Sequence, residues 1–168
     1  MATIDIEKIN IIISYLADKV EDLYVTKLMK LLYYIDFISL KERGSSITND
    51  TYYKLPYGPI PSFIMNEINN LQTNPDAEWG SRFSDNLIVV PDKFGKKVER
   101  IGKSVCDTSK IAPYEIELIN EVISKLGNKT AKFLSDKTHQ EKPFLLTSEN
   151  SIIDQSLATS LSGRDILD

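Results

Sequence analysis

One cysteine and one histidine in 168 residues exclude an internal disulfide and cannot by themselves supply a four-ligand zinc site, so packing must hold the fold and the reducing cytoplasm is the expected compartment. No stretch approaches the roughly 18 uninterrupted apolar residues that a membrane helix needs. The first residues carry acids inside an apolar pattern, where a secretion signal would have a basic head and a small-residue cleavage site. No membrane role is expected. Positive charge is not in excess: a net charge of -4 and a pI near 5.1 disfavour nonspecific nucleic-acid binding. There is no G-x-S-x-G elbow, no internal repeat and no low-complexity tract. The length itself fits one domain that buries roughly two-thirds of its unfolded surface.

What is present is concentrated between Thr26 and Pro61. Leu28, Leu31, Leu32, Ile35 and Ile38 form one apolar stripe at helical spacing, and Met29, Tyr33, Phe37 and Leu40 form a second, leaving only Lys27, Lys30, Tyr34, Asp36 and Ser39 between them. A helix apolar on most of its circumference is the one others pack around. Thr26 is suited to cap its start and Gly44 to end it with a left-handed residue. A strand is expected over Thr51–Leu55. Three prolines and Gly58 in Leu55–Pro61 then predict a rigid bend from Tyr57 to Ile60.

Around this centre the spacing of Ile9, Ile13, Leu16, Val20 and Leu23 predicts a helix from about Ile4 to Lys19, packed antiparallel on the central one through a short link. Ile60, Ile64, Ile68 and Leu71 predict a third helix ending near Thr73, with Pro61 in its first turn. A loop to Asn86 and a hairpin of Leu87–Val90 with Lys97–Ile101 follow. Those strands are expected to join Thr51–Leu55 in one small antiparallel sheet. Pro113 opens a helix facing inward through Ile116, Ile119, Ile123 and Leu126, stopped by Gly127, and Thr130 caps a shorter one burying Phe133 and Leu134. The fold class is mainly α, a helical domain around a central apolar helix with a small antiparallel β insertion. Residues 1–147 are read as one domain and 148–168 as a tail with a weak helical stripe at Ile153, Leu157 and Leu161 and a frayed SGRDILD end.

Two strings, KLMKLLYY followed by YGP and then THQEKPF near the end, resemble the Panacea domain, the SocA-like antitoxin family also seen in bacterial phage-associated proteins. The resemblance runs from about Asp5 to Phe144, with Phe144 where the family pattern has Trp. It marks Lys30, Tyr33, Tyr57, Gly58, Pro59, His139 and Pro143 as motif residues, and none is catalytic in form. His139 has the only side chain that titrates near neutrality unperturbed, yet nothing in the sequence supplies it with a catalytic partner. It is read as a structural residue that bonds a backbone group and ties the last helices to the corner.

Three features are candidates for a partner-binding surface. Trp79 and Phe83 stand in a polar, Gly-containing loop where large aromatics often anchor interfaces, unless they fold back over the sheet. Lys93, Lys96, Lys97 and Arg100 give the hairpin a local basic excess that would steer an acidic protein or touch nucleic acid, or be a plain solvated face. Tyr52 and Tyr53 lie on a strand whose alternation exposes one of them.

The resemblance implies an antitoxin that binds a cognate protein toxin directly, needs no cofactor and no metal, and in SocA-like members also delivers the toxin to a protease. A DNA-binding regulator of its own operon and a hydrolase built on His139 stay open beside it. The first lacks a basic recognition helix after a tight turn.

Overall fold

The computed structural model of the protein describes residues 3–73, 81–102 and 106–168. Helix α1 (Ile6–Lys19) starts where the Asp5 carboxylate accepts from the Lys8 N–H at 3.0 Å. Helix α2 (Val25–Arg43) is the centre: every residue from Lys27 to Ser39 is buried, as two interleaved apolar stripes require. Gly44 ends it at φ +75° with its N–H on Leu40 O. The start differs from expectation. Thr26 lies inside the helix and caps nothing, because Tyr24 already bridges to Lys97 and enters α2 in extended conformation.

The strands also pair differently from expectation. Strand β1 (Tyr52–Leu55) pairs with β2 (Gly58–Pro61), and β3 (Leu87–Asp92) pairs with β4 (Gly95–Arg100), giving two separate two-stranded sheets. The supposed bend from Tyr57 to Ile60 is therefore mostly strand, reached by the two-residue turn Pro56-Tyr57. A partner four residues away in sequence costs far less loop entropy than the distant hairpin. Prolines at 59 and 61 are tolerated because their positions point away from the ladder. Opposite them, Lys54 and Tyr52 direct their backbone groups to the chain's own tail, with Lys54 N–H on Ser151 O at 3.0 Å, Asn150 N–H on Lys54 O at 2.9 Å and Ile153 N–H on Tyr52 O at 2.8 Å.

Helix α3 (Ser62–Thr73) has its N-terminus satisfied from a distance: Asp50 accepts from Phe63 N–H at 3.0 Å and Ile64 N–H at 2.9 Å. Pro61, expected in its first turn, closes β2 instead. Backbone neighbours of α2 are β2, α4 (Pro113–Leu126), α5 (Ala131–Thr138) and the 3-10 helix Gln155–Ser160. Helix α1 runs along β4, where the Tyr24–Lys97 bridge and the Leu23 O bond to Val98 N–H draw the hairpin in beside it, and its Ile9, Ile12, Ile13 and Leu16 share one buried core with α2.

Helix α4 is rotated from the expected face. It buries Leu118, Ile119, Val122 and Leu126, leaves Ile116 and Ile123 partly covered, and turns Glu115 inward to Lys8 at 2.5 Å and Arg43 at 3.1 Å. In α5, Thr130 accepts from Phe133 N–H at 3.0 Å as a cap, and Leu134 is buried. Phe133 is 48% exposed, against expectation, because as the third residue of the helix it sits on the outer side beside Lys129. Helix α6 (Lys142–Leu145) is a single turn.

The tail does not fray. Ile153, Ala158, Leu161 and Leu167 are buried, and Arg164 binds Glu42 at 3.1 Å and Glu117 and Glu121 each at 2.7 Å. Of its expected stripe, Leu157 lies in the 3-10 helix Gln155–Ser160 with Ile153 and Leu161 just outside it, and a second 3-10 helix spans Gly163–Leu167. The fold is mainly α with two small antiparallel hairpins, and no helix among the described residues is long and apolar enough to cross a membrane.

Candidate partner-binding site

The motif residues converge where the β1–β2 turn meets α2 and α5. Gly58 has φ +119°, and a Cβ there would stand 2.6 Å from Lys30 Cε and 2.9 Å from Thr138 Oγ1, so only glycine lets these elements approach. Lys30 is fully buried and donates to Pro59 O at 3.3 Å, and burial lowers its ammonium pKa to about 7.

One turn along α2, the Tyr33 and Tyr34 hydroxyls donate to the two carboxylate oxygens of Glu141 at 3.0 and 2.9 Å. Burial raises the Glu141 carboxyl from the ordinary 4.5 to about 7, against the pull of the two phenols. The same burial and the facing carboxylate hold both tyrosines well above their ordinary range. His139 places Nε2 2.9 Å from Pro56 O and Nδ1 2.5 Å from Ser135 O, and Ser135 Oγ donates to Tyr57 O at 2.7 Å. The corner is thus fixed to α5 by side chain to backbone bonds.

Because the folded-state pKa of Glu141 is raised, its contribution to stability is complete below about pH 4.5 and is lost as pH rises through about 7. Lys30 runs the other way, its contribution recovering from about pH 7 towards 10.5 as the unfolded chain also loses its proton. Glu141→Gln should remove the first trend. Urea unfolding at pH 5 and pH 8 is expected to show the variant gaining on the parent by roughly 2–3 kcal/mol between the two, at about 1.4 kcal/mol for each pH unit. Parallel profiles would mean that the carboxyl is not the group held up.

On the outer side of this corner Lys54, Leu55, Pro56, His139, Phe144, Glu149 and Asn150 line a cleft of about 370 Å³. The His139 and Phe144 rings pack at 4.1 Å, and the Lys54 ammonium lies 4.3 Å above the Phe144 ring. Of the motif residues Tyr57 is exposed, while Gly58, Pro59 and Pro143 are buried.

The residues expected on a partner surface are not brought together. Tyr52 is buried, its hydroxyl on Asp36 Oδ2 at 2.6 Å, and Phe83 is fully buried beneath β3, so neither offers a contact surface: each replaces water with packed apolar neighbours. Tyr53, the alternate residue, is half-buried and bridges to Ile152. Trp79 lies outside the described residues. Lys93 and Lys96 are exposed near the hairpin tip, with Lys93 4.9 Å from the Phe94 ring. Lys97 and Arg100 pair with Asp22 at 2.6 Å and Asp18 at 2.8 Å, so much of the basic excess is neutralised by the end of α1 and its loop.

Sequence reasoning missed Asp36, Glu141, Lys54 and the exposed pair Leu145-Leu146. For Asp36 a signal existed, a lone carboxylate inside an otherwise apolar helix. Glu141 sits in a polar string where nothing marks it as buried.

A family model described as antitoxin SocA-like, Panacea domain, matches residues 28–144, well over half of the chain. The match begins inside α2 and ends within α6, so it takes in the corner, His139 and Glu141 and leaves out α1 and the tail. No curated protein and no solved structure matches.

Proposed function

The chain belongs to the SocA-like antitoxin family with a Panacea domain, and from that membership we propose that it neutralises a toxic protein encoded beside it, in the cytoplasm, by binding that protein directly. The family match carries this reading. The geometry supports it by what the motif side chains do: Lys30, Tyr33, Tyr34 and Glu141 satisfy one another or the backbone, and no buried side-chain polar atom among the described residues lacks a partner. His139 has both ring nitrogens against carbonyl oxygens, which favours a rigid binding scaffold over a general base.

The test is expression of the neighbouring reading frame with and without this chain. Growth should stop with the neighbour alone and resume with both, and the two purified proteins should co-elute with a Kd near nanomolar, about -12 kcal/mol. Delivery to a protease would appear in the same experiment as loss of the neutralised toxin from the cells rather than its build-up in a complex. A harmless neighbour that forms no complex sinks the antitoxin reading.

A further inference from the structure

Four of the eight large apolar side chains exposed among the described residues stand close together. Tyr57 (72%), Leu145 (56%), Leu146 (65%) and Ile152 (57%) stand on the three segments that border the His139 cleft: the β1–β2 turn, the end of α6 and the start of the tail. An apolar rim around a preformed concavity is the usual mark of a docking site. The concavity is preformed because His139 bonds Pro56 O and packs on Phe144.

Its charge indicates what docks there. Among the described residues neither Lys54, above the Phe144 ring, nor Lys142, on the exposed side of α6, has a carboxylate within ion-pair distance, and Glu149 is the one acid lining the cleft. The hairpin's exposed aromatic, Phe94, stands instead on the turn between β3 and β4 beside Lys93, and serves as the control.

We propose that the cleft face docks a short segment of a partner protein that places an aromatic or large aliphatic side chain in the cleft beside Leu55 and Pro56 and a carboxylate against Lys54, with Tyr57 and Leu146 at its border. It deepens the antitoxin reading, on which it rests for the identity of that partner as the toxin. The segment gains a cation without a carboxylate partner and a concavity of about 370 Å³ for its apolar side chain.

The probe is a random-peptide library displayed on phage, panned on the full-length chain and counter-selected on the same chain carrying Lys54→Glu. Enriched peptides should pair an aromatic or large aliphatic residue with Asp or Glu. A synthetic representative should bind the parent and lose about tenfold or more in affinity on Lys54→Glu and on Leu146→Asp, about 1.4 kcal/mol per tenfold, and nothing on Phe94→Asp. Unchanged melting temperatures of the three variants separate lost docking from lost folding. No enrichment over the counter-selected chain, peptides without the paired chemistry, or a loss at Phe94 instead overturns the proposal. So does a parent dimer that Leu146→Asp converts to monomer, since the face would then bind its own copy. A harmless neighbouring gene would sink the antitoxin reading while these peptide results stood, and failed panning beside a neutralised toxin would do the reverse.

Discussion

Asp36→Ala is expected to unfold the protein more readily than any other single truncation of a polar side chain, by on the order of 4–5 kcal/mol. For a chain of 168 residues that corresponds to a fall in Tm of roughly 10–15 °C. The carboxylate is fully buried and accepts four hydrogen bonds: from Ile47 N–H and Thr48 N–H at 2.8 Å each, from Thr48 Oγ1 at 2.5 Å and from the Tyr52 hydroxyl at 2.6 Å. Burial pushes its pKa up while the donors pull it down.

Removing the acceptor strands those donors, and the damage travels. Thr48 Oγ1 also accepts from Asp50 N–H at 3.1 Å, and Asp50 holds the first N–H groups of α3. One carboxylate therefore aligns the 45–50 loop, β1 and the start of the third helix. Tyr52→Phe, which strands nothing else, should cost only about 1 kcal/mol. Chemical denaturation of both variants decides the matter: a loss below about 1 kcal/mol for Asp36→Ala would mean the loop is held by other contacts.

Gly58→Ala is expected to cost about 3 kcal/mol, since it combines a backbone at φ +119° with a methyl group 2.6 Å from Lys30 Cε and 2.9 Å from Thr138 Oγ1. The two contributions separate in a double-mutant cycle. Lys30→Ala removes the Lys30 contact and leaves the Thr138 contact and the dihedral cost, so the double variant should be more stable than the sum of the singles by about 1 kcal/mol or more. Additivity would place the effect in the backbone and the Thr138 contact. The His139 cleft should deform with the corner, because Pro56, which lines it, stands two residues before the substituted position.

How much of this could be read from the residues divides along the range of the interactions. The two stripes of α2, the left-handed Gly44, the Thr130 cap and the 87–101 hairpin are local patterns, and the structure reproduces them. The pairing of β1 with β2 was hidden because prolines at 59 and 61 read as breakers, while on an outward-pointing edge they break nothing. The partners of Asp36 and Glu141 were hidden for another reason: they come from distant backbone and from tyrosines whose own orientation the sequence leaves open. Alternation said that one of Tyr52 and Tyr53 faces inward, and Asp36 determines which. The cleft combines segments some ninety residues apart, which no local pattern connects.

Both rims of the β1–β2 ribbon are closed to outsiders. On one the polypeptide's own last stretch has already taken the amide and carbonyl positions, and on the other two pyrrolidine nitrogens offer no hydrogen. A stray extended segment would find no ladder to lengthen, which guards the molecule against edge-wise polymerisation. Docking at the proposed cleft would then run through side chains and not through strand addition, so its specificity would change by a few surface replacements while the backbone beneath stays as it is.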